Sequence, residues 1–175
     1  MELLEAKQIS KKQSLIIADW MFQNQTRINY CWAIVQQENE PLSRRAAYAL
    51  DNCAEKDVRH VKHLMAEFIH FLPVTKSNPL KRHVSRILTK SPLPEDEELQ
   101  GLLAEYCFNF LVDAEIDVAV KVHCIDLIFR LCKIYPELKV EFHSVLQDQM
   151  EKNRTAFITR ARKILSGDYL SLIHI

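Results

Sequence analysis

The chain has 175 residues, of which 48% are hydrophobic and 26% charged, and its 23 basic and 23 acidic side chains cancel, a composition of an ordinary soluble globular protein. Its two glycines, Gly101 and Gly167, exclude glycine-rich phosphate loops and argue against hairpin-rich β folds, whose tight turns need positive φ. The five cysteines Cys31, Cys53, Cys107, Cys124 and Cys132 are an odd count without a C-x-x-C pair, so no disulfide framework or zinc knuckle is encoded and a reduced, cytoplasmic setting is expected. No apolar run approaches membrane-spanning length, and the charged stretch Met1 to Lys12 does not read as a signal peptide.

Taken in order, nine helices are predicted and no strand. Ser10 and Gln13 form a capping box that opens a helix from Lys11 to Gln23. Thr26 is expected to cap a second to about Gln37, and Pro41 takes the first turn of a third to Ala54, where a missing N–H costs nothing. Asp57 opens a fourth that ends before Pro73, and Asn78-Pro79 starts a fifth to about Lys90. Ser91 to Pro94 is forced into extended backbone. The run Glu95 to Glu98 lies at the start of a sixth helix to Val112, where the helix dipole favours negative charge, a simpler reading than a metal cluster. Helices over Glu115 to Ile134, Glu137 to Met150 and Arg154 to Ser166 complete the set.

The helices recur. Apolar pairs spaced by three, Ala46 and Ala49, Val84 and Ile87, Val122 and Ile125, Ala161 and Ile164, follow one another at intervals of about 38 residues. Each pair is preceded by a basic or imidazole side chain: Arg45, His83, Lys121, Arg160. Leu72, Leu111 and Met150 mark the second helices at the same interval. Such two-helix units cannot bury their apolar faces alone and are expected to stack. The helix over Glu115 to Ile134 is apolar over a wide arc and is expected to be interior.

The period, the paired helices and the first-helix prolines Pro41 and Pro79 resemble the HEAT and armadillo-type repeat superfamily over about residues 13–166. The segments Leu42 to Ala47, Val118 to Val122 and Arg160 to Leu165 are similar to those of small bacterial HEAT-like repeat proteins. The resemblance implies an all-α fold, an α-α superhelix in one domain spanning residues 1–175. It implies protein binding and no catalysis. An adenylosuccinate lyase activity is not expected, because that enzyme resembles a much longer helical tetramer with a glycine-rich loop. Residues 168–175 end in Leu170 to Ile175, which resembles translated adapter read-through and is expected to be a non-native tail.

Charge is unevenly spread. Residues 42–90 carry 10 basic and 4 acidic side chains, whereas residues 91–151 carry 4 and 13. The expected partner-binding residues are Arg44, Arg45, Arg82, His83, Lys121 and Arg160, with an unidentified protein or acidic peptide as partner. The column Arg45, His83, Lys121, Arg160 has two readings: an exposed ladder that grips an acidic segment, or internal ties to Asp51, Asp117 or Asp126. Salt-sensitive self-association of basic and acidic units is a further possibility. His60, His63, Glu67 and His70 fall on one face of an ideal helix and read as a wet polar face, since one helix cannot supply a closed metal shell. No cofactor or metal is expected. Catalytic motifs are absent, and His123 beside Cys124 points about 100° away from it, so the two are no nucleophile and base.

The alternative is a nucleic-acid-binding HEAT-like protein related to alkylpurine DNA glycosylases. That likeness implies rings from Trp20, Tyr30 and Trp32, and phosphate contacts from Arg44, Arg45, Lys81, Arg82 and Arg86. Zero net charge and the acidic stretch 91–151 disfavour it.

Overall fold

The computed structural model describes residues 10–167, which form nine α-helices and two short 3-10 turns, with no strand among the described residues. They fall into two compact units, divided between Pro94 and Glu95. The first contains α1 (Lys11–Phe22), α2 (Gln25–Gln36), α3 (Leu42–Lys56), α4 (Met65–Val74) and α5 (Asn78–Lys90). The second contains α6 (Glu97–Val112), α7 (Val118–Ile134), α8 (Leu138–Met150) and α9 (Thr155–Leu165). The expected tail at 168–175 lies outside the described residues.

Caps account for most boundaries. The Ser10 amide donates to Gln13 Oε1 at 2.8 Å while the Gln13 amide donates to Ser10 Oγ at 3.3 Å, the reciprocal box read from the sequence. Asn24, not Thr26, caps α2: its Oδ1 accepts the Thr26 amide at 2.8 Å. Asp96 Oδ1 accepts the Glu98 and Leu99 amides at 2.8 and 3.3 Å, so α6 starts two residues later than the acidic run suggests. Asp113 Oδ1 accepts the Glu115 amide at 2.8 Å, which holds a turn and delays the start of α7 to Val118.

The predicted helix from Asp57 is broken. Val58–His60 and Lys62–Leu64 are 3-10 turns, and α4 begins only at Met65 and runs through Pro73 to Val74. Val61 and Leu64, three apart, are 0% and 3% exposed; side chains three apart eclipse in a 3-10 turn, so both bury together.

Each unit is built around one interior helix. In the first, α3 packs against α1, α2 and α5. Its Ala46, Ala47, Ala49, Leu50 and Cys53 are all buried, and such small side chains let three helices approach one. Asn52 Nδ2 donates to Ser14 Oγ at 2.7 Å across the buried α1–α3 seam. In the second, α7 packs against α6, α8 and α9 and buries Val120, Cys124, Ile125, Leu127, Ile128 and Leu131 completely, the interior role its wide apolar arc predicts. Of the recurring apolar pairs, Val122 alone is only half-buried, because α7 turns Val120 and Lys121 inward instead. Large core side chains such as Phe68 and Phe142 each contribute about 1.5–3 kcal/mol by leaving water. Among the described residues no helix is long and apolar enough to cross a membrane.

Candidate functional site

The densest charge cluster of the first unit joins α3 to α5. Asp51 on α3 is completely buried. It accepts His83 Nδ1 at 3.0 Å, Arg86 Nη1 at 2.8 Å and Lys90 Nζ at 3.1 Å, all from α5. Glu55, one turn beyond Asp51, accepts Arg86 Nη2 at 3.0 Å and also pairs with Lys90. Acids at i and i+4 on one helix thus face bases at i, i+3 and i+7 on the next. Burial pushes the Asp51 carboxyl up, but the His83 hydrogen bond and the charges of Lys90 and Arg86 outweigh it and hold the group below its ordinary value of 3.8. Tyr48 lies beside the imidazole of His83, with ring centroids 5.4 Å apart. The cluster neutralises itself and leaves no nucleophile with an adjacent base; its geometry ties helices together.

The structure separates the six predicted contact residues. Arg45, His83 and Lys121 are 9%, 8% and 4% exposed, so the exposed four-member ladder does not form. His83 is tied to Asp51, and half-buried Arg160 on α9 reaches Asp126 on α7 at 3.5 Å. These are internal ties, the second of the two readings. Lys121 lines a pocket at the start of α7. Arg44 and Arg82 are exposed, 38 residues apart on the neighbouring helices α3 and α5. Arg44 approaches Glu40 at 3.6 Å, a solvent-exposed i, i+4 pair that constrains it weakly.

Of the imidazole-rich stretch, His63, Glu67 and His70 are exposed, as the wet-face reading expects, and only His60 is half-buried. His60 stacks on Phe22 of α1 with ring centroids 3.8 Å apart. His63 Nε2 lies 2.7 Å from Asn29 Oδ1 on α2, and burial pulls its pKa down against the opposing charge of Glu67. Trp32 Nε1 donates to Glu67 Oε2 at 2.6 Å while its ring packs edge-on against Phe68 and Phe71. Among the described residues no three His, Cys, Asp or Glu side chains gather where they could hold a metal.

Sequence reading missed Asp51, Glu55, Arg86 and Lys90 as one cluster, although the matched i, i+4 spacing of acids and bases about 35 residues apart is a usable signal. Lys81, a phosphate contact in the nucleic-acid alternative, is instead turned inward, where its Nζ donates to the Leu72 carbonyl at 2.9 Å and to that of Thr75, closing the end of α4. Cys107 and Cys124 meet across α6 and α7, and all five cysteines are free and buried.

A family model described as a HEAT repeat domain matches residues 2–167. No curated protein and no solved structure gives a significant match. With paired helices, recurring buried positions and a family match over nearly the whole length, the chain belongs to the HEAT repeat domain family.

Proposed function

We propose that this HEAT repeat protein is a non-catalytic interaction scaffold that binds an extended acidic segment of a protein partner through Arg44 and Arg82. One observation carries the reading: two guanidinium groups at equivalent repeat positions are exposed on helices that pack against each other. Packed helix axes lie about 8–10 Å apart. An extended peptide advances about 3.3 Å per residue, so acidic side chains two or three positions apart match that spacing. The surplus of 10 basic over 4 acidic residues between 42 and 90 adds long-range attraction. Arg45, His83, Lys121 and Arg160 drop out of the contact surface, since they are buried or tied inside. A cytoplasmic location belongs to the same reading, supported by five cysteines that are all free and buried.

Of the groups the nucleic-acid alternative needs, Arg44, Arg82 and Tyr30 stay exposed, but others are engaged within the fold. Lys81 and Arg86 are spent on internal partners, Trp32 is 2% exposed, and Arg27 lies over the Trp20 ring at 4.8 Å. The two readings separate in a fluorescence anisotropy titration with a labelled glutamate-rich peptide and, in parallel, duplex DNA, at about 50 and about 200 mM salt. The scaffold reading expects saturable peptide binding that weakens with salt and no saturable DNA binding at either concentration. DNA binding with a steep salt slope, or no peptide binding at low salt, overturns it.

A further inference from the structure

The second unit carries a pocket of about 330 Å³ where the N-termini of α7 and α9 meet. Its wall breaks three local rules at once. Lys121, in the first turn of α7, is 4% exposed and lines the pocket, and its ammonium is not among the fully enclosed polar atoms that lack a partner, so the little exposure it keeps is toward the pocket. Burial pulls its pKa below the ordinary lysine value, with Asp113 and Cys124 opposing more weakly. Cations are disfavoured at a helix N-terminus, yet Lys121 stands at one and Arg154, the residue that precedes α9, at the other. Neither N-terminus receives a side-chain cap: Asp117 before α7 and Arg154 before α9 make no capping hydrogen bond.

A single bound anion removes all three penalties, because it pairs the ammonium of the nearly buried Lys121, neutralises the added cation and faces the uncapped amides. The lining residues hold three cations, Lys121, Lys152 and Arg154, against one carboxylate, Asp117. Lys152 is also shared with Asp148, 2.7 Å away. A surplus of positive charge suits a phosphate group, which carries close to two negative charges at neutral pH. The facing wall is apolar, with Val112, Ile116 and Val118, and fits a short carbon body. The volume lies at the small end of the range for small-molecule sites.

We infer that this pocket binds a small phosphate monoester, its phosphate held by Lys121, Lys152 and Arg154 and its carbon body against Val112 and Val118. The site shares no residue with Arg44 and Arg82, so either proposal can fail without the other.

Isothermal titration of the full chain with glycerol 3-phosphate, inorganic phosphate and a phosphoserine peptide tests it. Saturable binding of glycerol 3-phosphate, tighter than inorganic phosphate, is expected. Lys121→Met is expected to weaken it about tenfold or more, the loss of one charge-assisted hydrogen bond. The same variant is expected to keep or raise the melting temperature in phosphate-free buffer, since it removes a desolvated charge. Arg154→Ala, at an exposed position, is expected to weaken binding with melting unchanged. The absence of saturable heat overturns the inference, as does unaltered affinity in both variants. A fall in the phosphate-free melting temperature of Lys121→Met shows a structural lysine and overturns it too. Tighter binding of the phosphoserine peptide than of glycerol 3-phosphate overturns the assignment to a small molecule.

Discussion

Asp51 on α3 accepts a hydrogen bond from His83 Nδ1 on α5 at 3.0 Å, and the two residues sit 32 positions apart in the chain. Around that contact Arg86 and Lys90 complete the neutralisation of a carboxylate with no exposure to water. The arrangement converts ionisable residues of two adjacent repeats into a fastening between them.

Asp51→Asn should therefore destabilise the protein by about 3 kcal/mol. That is the low end for removing one partner of a buried ion pair, because Arg86 and Lys90 keep Glu55 and some water contact. Urea unfolding at neutral pH measures it.

The same substitution should change the acid response. The Asp51 carboxyl is held below 3.8 in the folded protein, so its stabilisation is present above that value and disappears as pH falls through the lower folded value. Unfolding free energy of the wild type should fall more steeply than that of Asp51→Asn over this acid range. Parallel curves would show that Asp51 contributes nothing to the pH dependence.

Lys81→Met should cost about 1–3 kcal/mol, because the Leu72 and Thr75 carbonyls lose a buried donor. Lys76→Met, at an exposed position nearby, is the control and should shift stability by less than about 0.5 kcal/mol. Urea midpoints of the two variants give the comparison.

Thiol chemistry should be silent in the folded state. Burial pushes the Cys31 thiol up to about 12 and Cys53 to about 11, and the other three cysteines are buried as well. Iodoacetamide at mildly alkaline pH should leave the native protein unlabelled and add five groups in denaturant. Mass spectrometry counts them.

Much of the helical order was legible because its signals are local. The Ser10–Gln13 box, the prolines and the wide apolar arc of α7 each act within one or two turns, and the recurrence of Ala46, Val84 and Ala161 needs only counting. Two features were not legible. Val58, Val61 and Leu64 recur every three residues, but a short stretch at that spacing also fits an α-helical stripe, and the burial of Val61 against neighbouring helices decides between them. The column of Arg45, His83, Lys121 and Arg160 borders an apolar stripe, and residues at such a border turn inward or outward according to what the next helix supplies. Asp51 and Asp126 supply partners for two of them. No sequence window contains both sides of that choice.

The division between inner fastenings and outer contacts is tested most directly by peptide affinity in a variant that spares the inside. Arg44→Glu combined with Arg82→Glu alters two exposed side chains and should leave the urea midpoint unchanged. Its affinity for the glutamate-rich peptide, read by fluorescence anisotropy at low salt, should drop by about tenfold or more. An affinity equal to that of the wild type would contradict the account.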